Sequence, residues 1–254
     1  CFWSENTREW DSIISKKWSN IRFKSTGFDA EIPLKMYTYS KIEGLDFYNQ
    51  IFEQLQASKN FQFRTETYLS HREHSFSVEV QTKNNIYSAA KLFTSILPPE
   101  RLEKQTQYPV LQQHFIGWEV ETPSSVFEPE IATFMDFDIP QRGNTRFMYV
   151  LPTAKNKALV EYTLFSEKLL PKAEYEVAIQ EYLEELGVTE YTIHSKEQGS
   201  IPMTAFPFEQ FNSKNILHIG TAGGWTRGST GYTFTYTLKR TEQLIAFLKA
   251  ENDL

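Results

Sequence analysis

Residues 216–232, ILHIGTAGGWTRGSTGY, decide the fold class. An apolar run hands over to a loop of glycines and hydroxyls and then to a helical pattern, the order by which α/β proteins present backbone N–H groups to a polar or anionic cofactor. The usual dinucleotide fingerprint is G-x-G-x-x-G after an early strand, and none of the 11 glycines has another two positions on. On the loop alone, a Gly-rich turn that binds nothing stays open as a reading.

Outward from this loop, 254 residues with 40% hydrophobic content can bury a sizeable core in one large or two ordinary domains. A net charge of −6 argues against a nucleic-acid partner, whose binding depends on a basic face. The single cysteine, Cys1, allows no internal disulfide framework, and no signal peptide or long apolar run occurs, so a reducing, cytoplasmic setting is expected. The sequence opens on Cys1 in the apolar CFW with no initiating Met, so a leading segment is expected to precede it.

The organisation reads as interleaved. DFYNQIFEQLQA (46–57) places Phe47, Ile51, Phe52 and Leu55 at helical spacing behind Asp46 as N-cap. Short alternating runs over 61–97 read as a strand, a hairpin and a buried strand, ended by Pro98 and Pro99. Four strand-like runs at 114–122, 132–139, 145–151 and 158–165 predict an antiparallel sheet. YEVAIQEYLEEL (175–186) predicts a helix stopped by Gly187, and YTIHSKEQG (191–199) one more strand. The expected fold class is α/β (α+β), a Rossmann-like nucleotide-type domain from 1–107 and 206–254, with an antiparallel substrate-binding sheet inserted at 108–205.

MDF (135–137), RFMYVLP (146–152), ALVEYTLFS (158–166), IPM (201–203) and IGTAGGWTRGSTGY (219–232), with the opening CFW and GLDFY (44–48), resemble the flavin-dependent lycopene cyclase family in order and spacing. The resemblance runs over nearly the whole chain. It implies a βαβ unit with G-x-G-x-x-G ending just before Cys1, and hence poor flavin binding by residues 1–254 alone. It implies FAD as cofactor, in its reduced form with NAD(P)H as indirect reductant. The residues implied to lie along the ribityl chain and pyrophosphate are Gly220, Thr221, Ala222, Gly223 and Gly224, while Ser229, Thr230 and Gly231 would open the next helix. Thr221 departs from the Asp that many flavoproteins carry at the ribityl contact.

The implied reaction is a cycloisomerisation of the linear ψ-ends of lycopene to β-ionone rings in carotenoid biosynthesis, the work of an intramolecular lyase or isomerase. On a strand, Leu159, Glu161, Thr163 and Phe165 share one face and Val160, Tyr162 and Leu164 the other. Glu161 between apolar neighbours would lose hydration of its charged form and keep its proton near neutral pH. It aligns with the first acidic residue of the family's F-L-E-E-T motif, which implies a role in ring closure, whereas the second acidic position is Tyr162 here. A strand Glu exposed on a half-solvated sheet is the alternative.

Asp136 is the second catalytic candidate, expected on a face with Phe134 and Asp138 and close to Glu161 if their strands are neighbours. A solvated acidic face is its alternative. Trp118 and Glu119 are expected to line the same cavity. The chain is 15% aromatic, which suits a dry polyene tunnel whose ring faces stabilise a carbocation, and suits an ordinary aromatic core equally. His71, His74, His114, His194 and His218 lack metal-site spacing, so no metal is expected. A carotenoid substrate implies peripheral contact with the membrane. Two other classes stay open, a redox flavoenzyme acting on an isoprenoid (geranylgeranyl reductase-like or a hydroxylase) and a non-enzymatic carrier of an apolar ligand.

Overall fold

The computed structural model describes residues 1–5 and 10–251. In chain order its elements begin with β1 (Phe2–Glu5), β2 (Ile14–Trp18), β3 (Asn20–Ser25), β4 (Phe28–Pro33), β5 (Tyr37–Ile42) and α1 (Gly44–Gln56). There follow β6 (Tyr68–Glu73), β7 (Val78–Thr82), β8 (Ile86–Ala89), β9 (Leu92–Thr94), α2 (Glu100–Glu103), β10 (Val110–Glu121), β11 (Ile131–Asp136), β12 (Arg146–Ala154) and β13 (Lys157–Ser166). The remainder is α3 (Lys172–Glu185), β14 (Thr192–Thr204), β15 (Ile216–His218) and α4 (Phe234–Glu251).

Two compact units divide the chain, Cys1–Asp46 with Val110–Met203, and Phe47–Pro109 with Thr204–Leu254. The first holds a seven-stranded sheet in the order β14-β10-β13-β12-β11-β3-β4 and a three-stranded sheet β1-β5-β2. Its central strands read as almost unbroken apolar runs because both faces are covered. Val160, Tyr162 and Leu164 of β13 pack with Tyr175, Ile179, Tyr182 and Leu183 of α3. Leu159 on the opposite face packs with Trp18, Tyr39, Phe147, Tyr149 and Leu151. The second unit holds the sheet β6-β7-β8 and a parallel pair in which Ile216, Leu217 and His218 lie beside Leu92, Phe93 and Thr94.

Three expectations need correction. Residues 1–46 belong with the inserted sheet and not with the C-terminal segment, because β3 adds to that sheet through a parallel register with β11, Ile131 beside Asn20. That pair also makes the sheet mixed. Helix α1 starts at Gly44, so Asp46 lies inside the first turn, where it favours the helix dipole and does not cap.

Helix α3 ends as its sequence suggests. Gly187 adopts φ 77°, its N–H donates to the Glu184 carbonyl at 2.9 Å and that of Val188 to the Leu183 carbonyl at 2.9 Å, the paired bonds of a Schellman stop. The stop seats Tyr182 and Leu183 against the sheet.

Candidate active site

Glu161 sits at the middle of β13, opposite Tyr149 of β12 on one side and Gly117 of β10 on the other. It is 9% exposed. Loss of hydration, and then the nearby carboxylate of Glu197 on β14, push its carboxyl up to about 8; the Thr163 hydroxyl, donating to Oε1 at 2.6 Å, pulls the other way and loses. Lys41 of β5 is the cation held beside this face, yet it is committed to Glu119 at 2.6 Å and Glu43 at 2.8 Å. Burial would lower Lys41, but those two carboxylates prevail and keep it cationic. Glu161 therefore holds a proton at neutral pH inside an apolar surface.

That surface is aromatic. Phe147 meets Tyr149 edge-on at 5.0 Å and Phe165 at 5.7 Å. Phe134 meets Tyr149, Tyr39 and Trp3 edge-on at 5.7, 5.6 and 5.0 Å. Such edge-to-face contacts leave ring faces available to a cation without offering it a nucleophile.

Asp136 is not part of this site. β12 separates β11 from β13, and the register slips between Thr133 and Asp136. The bulge places Phe134 and Met135 together against the Glu161 side and turns Asp136 towards α3. There it is fully buried and accepts from Tyr182 Oη at 2.7 Å, Lys24 Nζ at 2.9 Å and the Asp138 N–H at 2.9 Å. The paired Asp136 carboxylate, after burial itself, pushes the Tyr182 hydroxyl far up. Asp136 thus ties α3 and β3 to β11, and strict alternation misled because it assumes no bulge.

Trp118 and Glu119 also part company. Trp118 packs in the α3 core, while Glu119 binds Lys41 and the Ser195 hydroxyl, 2.9 Å away. Tyr162 likewise faces α3, its hydroxyl accepting from Arg146 Nη1 at 2.9 Å. An acid at that position would not have faced Glu161. Of the histidines, His114 is satisfied by Ser166 at 2.7 Å and Tyr175 at 2.6 Å. His218 is 2% exposed, and burial, with Arg101 and His71 nearby, holds it down to about 4, so it is neutral. No group of three or more His, Cys, Asp or Glu that could hold a metal occurs among the described residues.

The glycine loop lies in the second unit. Gly220–Gly223 form one 3-10 turn behind Ile219 with no side-chain cap, so its leading N–H groups are left for an acceptor. Gly220 takes φ +58°, and beside it lies only Ser95 Cβ at 4.0 Å. A cavity of about 390 Å³ adjoins the loop, lined by Thr204–Glu209, Gly224, Thr226, Arg227, Gly228 and Tyr236. These features fit a phosphate- or flavin-bearing ligand better than a closed turn.

Several loop residues serve the loop itself. Ala222 is fully buried. A Cβ on Gly223 would lie 2.1 Å from the His218 carbonyl oxygen, and one on Gly224, at φ +71°, 3.1 Å from Phe208. The Thr221 hydroxyl is tied to Thr226 at 3.1 Å, and Thr226 to Thr233 at 2.9 Å. Ser229, Thr230 and Gly231 do not open the helix. They form a turn in which the Thr230 and Gly231 N–H groups donate to Arg227, and α4 begins at Phe234.

Comparison with known proteins gives a family and a fold. The family described as Lycopene cyclase protein matches residues 1–253. A lycopene beta-cyclase from a Paracoccus species is 29% identical over 131 residues, which span 49% of this chain and 33% of that relative. A geranylgeranyl bacteriochlorophyll reductase-like protein from Thermoplasma acidophilum superposes with a TM-score of 0.64 at 10% identity, over 92% of this chain and 61% of its own. A halogenase solved in complex with FAD gives 0.62 at 11% identity, over 92% and 52%. The chain thus shares the fold of the two solved structures; its match spans about a third of the cyclase relative and between half and two thirds of those two chains.

Proposed function

The chain belongs to the lycopene cyclase family, and from that premise we propose that it carries the ring-closing acid of a lycopene beta-cyclase that converts ψ-ends to β-ionone rings. The observation that carries the reading is Glu161, a buried carboxyl held protonated on an aromatic face. Its proton passes to the terminal double bond of the ψ-end and leaves a tertiary carbocation. A neighbouring double bond closes the ring on that cation, and loss of a ring proton, taken back by the Glu161 carboxylate, restores the acid. Atoms and electrons balance with no net redox change.

The chain's other residues protect this sequence. Tyr149, Phe134 and Phe165 keep the face dry, since water would capture the cation. Thr163 holds the carboxyl by its 2.6 Å hydrogen bond. The N–H groups at Gly220–Ala222 would hold the cofactor, FAD in its reduced form with NAD(P)H as indirect reductant, and Thr204–Glu209 would border it. When bound, a reduced flavin supplies negative charge to a carbocationic reaction. No helix among the described residues is long and apolar enough to cross a membrane, and a bilayer-borne carotenoid would be met by peripheral contact.

The test is single-turnover ring formation from lycopene by the flavin-loaded protein under anaerobic conditions. Glu161→Gln keeps the shape and removes the acidic proton, so the rate should fall by ~10²–10⁴-fold, the usual worth of general acid catalysis, with flavin content unchanged. Wild-type turnover in that variant would overturn the assignment, and reductant consumed per product would favour a reductase or hydroxylase.

A further inference from the structure

A second carboxylate faces Glu161, and it comes from β14 instead of the adjacent motif position. Gly117 of β10 lies between the two strands that carry them. A Cβ built on Gly117 would stand 3.3 Å from Glu161 Cβ and 3.1 Å from Glu197 Cγ. The missing side chain therefore leaves a space that the Glu161 and Glu197 side chains both border, and the Glu197 carboxylate acts on that of Glu161. Glu161 is buried and Glu197 exposed, so charge hydrated at Glu197 costs little while charge on Glu161 costs much. Two carboxyl groups sharing a site do not both ionise readily, and the proton stays on the one with the poorer solvation.

The other groups around Glu161 do not remove that bias. Lys41 is neutralised by Glu119 and Glu43, and Tyr149 and Thr163 carry no charge. The like charge of Glu197 is left as the electrostatic influence that favours a neutral Glu161, after burial itself.

We propose that Glu197 is a positioning residue for the ring-closing acid, its exposed carboxylate holding the buried Glu161 carboxyl in the protonated form. This rests on the cyclase reading above, because it assigns Glu197 a role only through Glu161. It also accounts for Tyr162 at the family's second acidic position, since that side chain faces α3 and the partner charge reaches the site from the neighbouring edge strand.

The experiment follows the protonated Glu161 carboxyl by its infrared C=O band in the flavin-loaded protein, assigned by its absence in Glu161→Gln, alongside the pH profile of single-turnover ring formation. Glu197→Gln should move the midpoint of the band, and the alkaline limb of the profile, down by ~1 unit or more, the usual effect of one adjacent like charge. Glu197→Asp, which keeps the charge, should recover part of the shift. An unmoved band midpoint in Glu197→Gln overturns the proposal even if rings form normally. A band that moves in a protein forming no ring keeps the carboxyl pair and overturns the cyclase reading.

Discussion

Two carboxylates of one sheet meet opposite fates. Asp136 is fully buried, and Lys24 and Tyr182 donate to it. Glu161 is buried without a cation and is neutral. Asp136→Asn should therefore lower stability, by ~1–3 kcal/mol as the buried Tyr182 hydroxyl and its neighbours lose a charged acceptor, while the folded fraction still forms rings; urea titration and single-turnover assay separate the two. For Glu161 the folded value, about 8, lies above the ordinary 4.5. Between those values the native state binds a proton that the unfolded chain has released, so stability falls as pH rises through that window. Glu161→Gln removes the fall, and its advantage in urea midpoint over wild type should grow from pH 5 to pH 9. An advantage independent of pH would contradict a buried neutral acid. The face of Glu161 was legible in the alternation of ALVEYTLF. Its partner was not, because Glu197 gains meaning only from a strand register that no local spacing encodes.

At the scale of elements, period and punctuation predicted most of what forms. The four runs between 114 and 165 became β10–β13, and Gly187 stopped α3. The failures have physical causes. The bulge in β11 inverted the side on which Asp136 points, and a bulge leaves little trace in hydrophobic pattern. The helix after the glycine loop was read as opening at Ser229, ahead of the Phe234 at which α4 begins, because Ser229 and Thr230 satisfy a turn as readily as a helix start. The loop's glycines also divide by purpose. Gly223 is required by the backbone it folds against, where a Cβ would stand 2.1 Å from the His218 oxygen, whereas a Cβ on Gly220 would meet only Ser95 Cβ at 4.0 Å. Gly223→Ala should destabilise the flavin-free protein well beyond the ~1 kcal/mol of an average substitution, seen in urea unfolding before any cofactor is added. Ordinary stability in that variant would mean the loop can shift to admit a side chain.

For the whole molecule, what the sequence could not show is where residues 1–46 belong. Their strands alternate like many others, and only β3 lying parallel to β11 reveals the sheet they extend. Deleting β3 and β4 should unfold the first unit, since it uncovers β11 and strips Asp136 of Lys24. Loss of near-ultraviolet dichroism from the packed aromatic rings would report it, and a native spectrum would show the two strands to be dispensable. The same pairing sets a timetable for biosynthesis. Lys24 and Asp136 are 112 residues apart in the chain. At ~5–20 residues per second a ribosome needs roughly 6–22 s to deliver β11 after β3. During that interval the β3–β4 hairpin waits without its β11 partner, open to chaperones and to misassembly.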